Sequence, residues 1–257
     1  MSHSNVDFAS KCNKSRPLFA KYCTGPAPTD PFEVRRWSMA GAHLMILEIL
    51  ANINNQLDTI PPEEKQNFAL FCLFGMQIIE HHHHMEETVI FPRMQPEFTT
   101  DVVEEHAAFS SAMHELEAYL KAVLAVKQGA KNGQVIPIVG QAKVPFSVPK
   151  IRQILDTMID PLLTHLEHEL EWLAPENIRE SGLPRERLEE IDAKAAGHIK
   201  NEMDTSLLVF GVGHVRPGSH FPLLPWVLIK VLVPWVFWWK DRKLWKFLPK
   251  SFAPIEL

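Results

Sequence analysis

Residues 78–92 read Ile-Ile-Glu-His-His-His-His-Met-Glu-Glu-Thr-Val-Ile-Phe-Pro. Four consecutive histidines, His81 to His84, followed by Glu86 and Glu87 in an otherwise apolar stretch, restrict the fold of this chain more than any other feature. On an α-helix, residues four apart share a face, so His82 stacks over Glu86 and His83 over Glu87. An imidazole and a carboxylate one turn apart, both aimed inward, are what a helical bundle uses to hold a metal ion. The competing reading is a polar helix face wetted by solvent. The run is internal and only four residues long, unlike a purification tag.

The 257 residues suffice for one large domain or a domain with a substantial extension, and with 46% of them apolar a sizeable core can be buried. A net charge of -5 argues against a general nucleic-acid binder. Cys12, Cys23 and Cys72 are odd in number and lack a CxxC spacing, so they suggest neither a disulfide framework nor a zinc–thiolate site. Met1 to Asn13 is polar and has no apolar segment to direct secretion. A reducing, cytoplasmic setting is the expectation.

Residues 1–29 end in Thr24-Gly25-Pro26-Ala27-Pro28 and read as an N-terminal arm. A cap at Thr29 or Asp30 followed by Pro31 starts a helix expected over Phe32–Leu57, with Met39, Ala42, His43, Ile46, Leu47, Leu50 and Ile53 on one apolar face. Pro61-Pro62-Glu63-Glu64 opens a second helix that runs to about Phe91 and carries the His/Glu cluster in its last turns. A third, about Asp101 to Gln128, turns Val102, His106, Phe109, Met113, Leu116 and Leu120 inward, with Ser110 and His114 near that stripe. Gly129 to Pro149 reads as a loop with a short extended piece. The fourth helix, about Lys150 to Leu173, presents Leu155, Met158, Leu162, His165, Glu169 and Trp172, so His165 and Glu169 repeat the spacing of His82 and Glu86. Pro161 either kinks it or marks a restart capped by Asp160. Four amphipathic helices, each with an inward histidine and two with carboxylates, predict an all-α four-helix bundle over residues 30–175 with a site in its core.

Residues 176–257 read as a helical, apolar extension packing on the bundle. Its first part is charged and helical around Arg185–Ile199. Gly211-Val212-Gly213-His214 and Arg216-Pro217-Gly218-Ser219-His220 read as a turn-rich connector, without the strand–Gly–helix context of a phosphate loop. The stretch Phe221–Trp239 is nearly long enough to cross a bilayer, but Lys230, Pro222, Pro225 and Pro234 interrupt it. Lys240, Arg242, Lys243, Lys246 and Lys250 follow, as in an interfacial segment. Two uses are open for residues 221–250: packing on the bundle or on a second subunit of a homodimer, or a peripheral membrane contact.

The pattern His81-His82-His83-His84-x-Glu86-Glu87-x3-Phe91-Pro92, then Glu105-His106-x2-Phe109, then His165-Leu166-x2-Glu169, resembles the hemerythrin-like, HHE cation-binding domain family. The resemblance spans about Arg35 to Pro175. The ending Trp245-Lys246-Phe247-Leu248-Pro249 is similar to that of the longer members associated with filamentous fungi. It implies an up-down-up-down four-helix bundle that holds two irons with five histidines and two bridging carboxylates. Carried onto this sequence, the implied ligands are His43, His82, Glu86, His106, His165 and Glu169; counting back from Phe91-Pro92 selects the 82/86 pair over 83/87. Two positions depart from the pattern: Ser110 stands where a second histidine is expected in the third helix, and Leu44 where an asparagine often follows the first ligand.

The missing ligand leaves three readings open. Two metals remain, each with two histidines and the bridging carboxylates, and both keep open positions for oxygen or substrate. One metal binds to a subset of the six. Or the site has lost its metal, and the buried groups work as acid and base on an organic substrate. Iron is the expected metal, with manganese or zinc compatible with the same donors. The functions that follow are oxygen-dependent oxidation of a small organic substrate, with His82, Glu86, His165 and Glu169 at its centre; an oxygen- or iron-binding sensor or store without turnover; or a metal-free isomerase or cyclase.

Overall fold

A computed structural model describes residues 3–99, 102–125 and 144–255. Among them every regular element is helical. The bundle is built from α2 (Pro31–Gln56), α3 (Lys65–Met85) with its continuation, α5 (Val102–Val123) and α6 (Val148–Trp172), and α1 (His3–Cys23) lies against α2 and α6.

The first 29 residues therefore contain a 21-residue helix where the sequence suggested an arm. Phe8, Cys12, Ser15, Arg16, Phe19, Ala20 and Cys23 are all buried, a three-and-four spacing that marks one face of a helix. Pro17 and the polar residues between them mask the period.

Helix α2 starts as expected: the Asp30 side chain accepts a hydrogen bond from the Phe32 backbone N–H at 3.3 Å, and Pro31 fills the first turn. Yet it is buried on nearly all sides, from Trp37 to Asn54, because α1 and the C-terminal extension cover the flank that faces away from the bundle. Helix α3 runs on through a π turn, Glu86–Ile90, into the short α4 (Phe91–Met94). Helix α6 starts at Ser147, whose hydroxyl accepts from Lys150 N, and passes through Pro161 without a break. Thr157, one turn before Pro161, is exposed, so the carbonyl that loses its donor can be hydrated. The expected loop and extended piece between Gly129 and Pro149 fall mostly outside the described residues.

Three helices follow: α7 (Pro175–Glu180), α8 (Arg185–Glu202) and α9 (Thr205–Gly213). Gly211 and Gly213, read as connector, end α9 instead. A side chain at Gly213 would collide with Leu248 at 2.6 Å, and one at Gly41 would overlap the Phe221 ring, so these glycines let the extension lie close. Phe210 meets Phe71 at 4.8 Å, and Phe247 meets Phe68 at 5.2 Å and Phe71 at 5.5 Å between ring centres. Asn52 and Gln56 donate to the Phe247 carbonyl at 2.9 and 2.7 Å.

One buried ion cluster ties three parts together. Glu48 of α2 accepts from Arg16 of α1 at 2.7 Å and from Arg216, beyond α9, at 2.7 and 2.9 Å. Arg16 is 3% exposed, so removing its counter-charge leaves a cation out of reach of water. Glu48→Gln is expected to destabilise the protein by about 3 kcal/mol in denaturant unfolding. A loss no greater than that of an exposed pair, such as one made by Glu189→Gln, would contradict a structural role for Glu48.

Candidate metal centre

The core of the bundle is polar at one level. His43 from α2, His82 and His83 from α3, Glu86 from the π turn, His106 from α5, and His165 and Glu169 from α6 are all buried there. Their ligand atoms form two groups: His83, Glu86, His106 and His165, and His43, His82, Glu86 and Glu169. Within each group these atoms lie within 4.8 Å of one another, and Glu86 belongs to both. All six residues named from the sequence are thus brought together, and His83 is added to them.

His83 was missed because the run of histidines was resolved as a choice between 82/86 and 83/87. A residue three positions before a glutamate shares its face as well as one four before, so His83 and Glu86 also meet. Glu87 does not stack under His83. The wider π turn begins at Glu86, and Glu87 turns to α5, where its Oε1 lies 2.6 Å from His106 Nδ1. Ser110 spends its hydroxyl on the His106 carbonyl, one turn back. His83 packs at 4.6 Å from the His106 ring and 5.3 Å from the His165 ring. The other histidines lie outside the cluster: His114 is exposed beside Glu80, His84 is exposed, and His81 stacks on His198 at 5.1 Å.

Carboxylates at the rim favour the histidine tautomers with the proton on Nδ1. Glu87 Oε1 accepts a hydrogen bond from His106 Nδ1 at 2.6 Å, and Glu105 Oε2 lies 3.2 Å from Nδ1 of His165 while its Oε1 lies 2.8 Å from His168 Nδ1. The two Nε2 atoms lie 3.1 Å from each other, inside the bundle. With both Nδ1 protons on the outer side, the space between these nitrogens takes a cation or a shared proton, and the raised pKa of His106 fits the proton where no cation is bound.

The remaining inward atoms are short of partners in the same way. His82 Nε2 lies 2.9 Å from Glu86 Oε1, and His43 Nε2 3.0 Å from Glu169 Oε2. Neither pair is aligned as a hydrogen bond, and both oxygens of Glu86 and of Glu169 lack a hydrogen-bond partner. Buried polar atoms left unpaired are costly. Imidazole nitrogens and carboxylate oxygens that face a common space instead of each other fit a metal ion well.

Burial holds His82 neutral, with its pKa pushed down to about 4, and His165 likewise to about 3. His43 and His83 are driven well below the ordinary histidine value by burial, reinforced by their neighbouring imidazoles. Burial opposes charge on His106 too, but its contacts with Glu86 and Glu87 outweigh that and raise it. Burial, and then the charge of Glu169, raises Glu86 well above the usual carboxyl value; Glu169 is raised by burial. A multivalent cation reverses this preference and favours both carboxylates in ionised form.

A cavity of about 100 Å³ lies on the His82 side of the cluster, between α2, α3, α8 and α9. Met45, Ile78, Met85, Leu208 and Phe221 line it, and His82 forms part of its wall.

The family model described as the hemerythrin HHE cation binding domain matches residues 37–175, which contain all seven clustered residues. No curated protein and no solved structure matches the chain.

The lowered histidines set a pH dependence for metal-stripped protein. A group neutral in the fold with its pKa below 6.5 lets the unfolded chain bind a proton first, so stability falls as the pH drops from about 6.5 towards the folded values. His43, His82, His83, His165 and His214 act this way, the last pushed down to about 4 by burial. His106, Glu86 and Glu169 act oppositely but are fewer. The denaturation midpoint is expected to fall steadily between about pH 7 and about pH 5; a flat or rising profile would contradict neutral imidazoles in the core.

Proposed function

Because the chain belongs to the hemerythrin HHE cation-binding family, we propose that its buried cluster holds two iron ions and oxidises a small apolar organic molecule with dioxygen. The observation that carries this reading is the shared position of Glu86 between two buried four-residue groups. His83, His106 and His165 would hold one ion and His43, His82 and Glu169 the other, with Glu86 common to both. His83 then supplies the fifth histidine that Ser110 does not. Iron suits these donors, and manganese or zinc fits the same set. When bound in such a set, iron supplies redox and oxygen chemistry that no side chain offers.

The chain's own residues do the rest. Glu87 and Glu105 keep the Nδ1 protons of His106 and His165 on the outer side, so both Nε2 lone pairs stay aimed inward. With cations bound, Glu86 and Glu169 would be ionised and act as ligands. Met45, Ile78 and Leu208 exclude water from the His82 side and select an uncharged, apolar partner for that space. This cavity favours turnover over an oxygen or iron store built on the same ligands. A metal-free isomerase or cyclase would leave both oxygens of Glu86 and of Glu169 without a partner in the core. Buried free thiols at Cys12, Cys23 and Cys72 support a reducing, cytoplasmic setting.

Metal analysis of protein purified without chelator tests the reading. About two iron equivalents per chain are expected, falling to about one in His43→Ala and in His83→Ala and lower still in Glu86→Gln. His84→Ala should leave the content unchanged. Less than about a tenth of an equivalent of any transition metal in the wild type, or a His83→Ala protein with undiminished metal, would contradict it.

A further inference from the structure

Elsewhere the described residues hide their large apolar side chains well. Those standing exposed among the described residues all lie between Leu223 and Trp239, and four of them are tryptophans: Trp226, Trp235, Trp238 and Trp239. Trp226 is 68% exposed and Trp235 73%, unusual for residues of this size. The π-helical piece Leu228–Val236 fully buries only Val233 and rests against α9. The exposed apolar side chains thus belong to one segment of the chain.

Its charges all but share one sign. Residues 221–240 contain no acid, and residues 221–250 carry six basic residues against Asp241 alone, in a chain whose net charge is -5. Lys240 is held by Asp204 at 2.8 Å and Lys246 by Glu64 at 2.6 Å. Lys230, Lys243 and Lys250 are exposed, and Arg242 lies 5.7 Å from the centre of the Trp239 ring. Indole rings next to cations are the composition that settles at the headgroup level of a bilayer, where the ring meets the acyl boundary and the cation meets phosphate. No helix of the described residues is long and apolar enough to cross a membrane. A symmetric contact between two copies would set this basic face against itself, which like-charge repulsion opposes.

We propose that residues 223–239 dock the protein on an anionic lipid surface. The tryptophans enter the headgroup region, and Lys230, Arg242 and Lys243 lie against the lipid phosphates. Phe221 and Leu224, at the start of the same stretch, line the cavity beside His82. An apolar ligand dissolved in the lipid would therefore meet the cavity wall next to the docked segment. Docking itself does not depend on the metal content of the bundle.

The test is co-sedimentation of the full-length protein with vesicles of phosphatidylcholine containing phosphatidylglycerol, and with vesicles of phosphatidylcholine alone. Binding to the anionic vesicles is expected to be at least about tenfold tighter, to weaken with salt, and to shift tryptophan emission to the blue. Trp226→Glu combined with Trp235→Glu should weaken it at least about tenfold while the far-ultraviolet spectrum stays unchanged. Lys230→Gln combined with Lys243→Gln should erase most of the preference for anionic lipid without touching the apolar face. Two results would overturn the proposal: protein that stays in the supernatant with anionic vesicles, or a dimer in sedimentation equilibrium that the tryptophan substitutions dissolve while vesicle binding is absent.

Discussion

Everything in this molecule accommodates one costly requirement: two carboxylates and five imidazoles sit together out of contact with water. Polar groups in that position need partners, and side chains supply only some of them. Glu87 and Glu105 fix the outer nitrogens of His106 and His165, whereas the inward atoms of His82, Glu86 and Glu169 remain unpaired within the protein. Four helices must hold their registers so that these groups arrive at one level. The apolar layers beside that level, with Ile46, Leu50, Phe109 and Leu162 fully or nearly fully buried, keep the registers from slipping.

The extension is part of the same solution. Without α1 and the segments after α9, helix α2 would expose a second apolar flank, and His43 would lie nearer to solvent. The Glu48 cluster, the Phe71–Phe210–Phe247 contacts and the Asn52 and Gln56 hydrogen bonds fasten that cover from three directions. The cavity next to His82 is made jointly by bundle and extension, so its shape belongs to this longer chain and not to the bundle alone.

Much of this could be read from the residues. The His-x3-Glu spacings at 82/86 and 165/169 placed histidine over glutamate, the 3.6-residue period marked α2, α5 and α6, and the Pro61-Pro62-Glu63-Glu64 start with the His/Glu cluster marked α3. The failures have physical causes. In α1, Pro17 and a low overall hydropathy conceal a buried stripe that becomes visible only once Phe8, Cys12, Phe19 and Cys23 are aligned. At Gly211 and Gly213, glycine was read as a turn signal although it served close packing against Met45 and Leu248. His83 escaped because helical stacking was counted at four residues and not at three, and because nothing in a sequence announces that a π turn will redirect Glu87.

The most direct test of the account is a crystal structure of iron-loaded protein with anomalous scattering measured at the iron edge. The account predicts two peaks flanking Glu86, one beside His83, His106 and His165 and the other beside His43, His82 and Glu169. No peak inside the bundle, or a peak beside His106 and His165 with the His83 ring turned away from it, would contradict it.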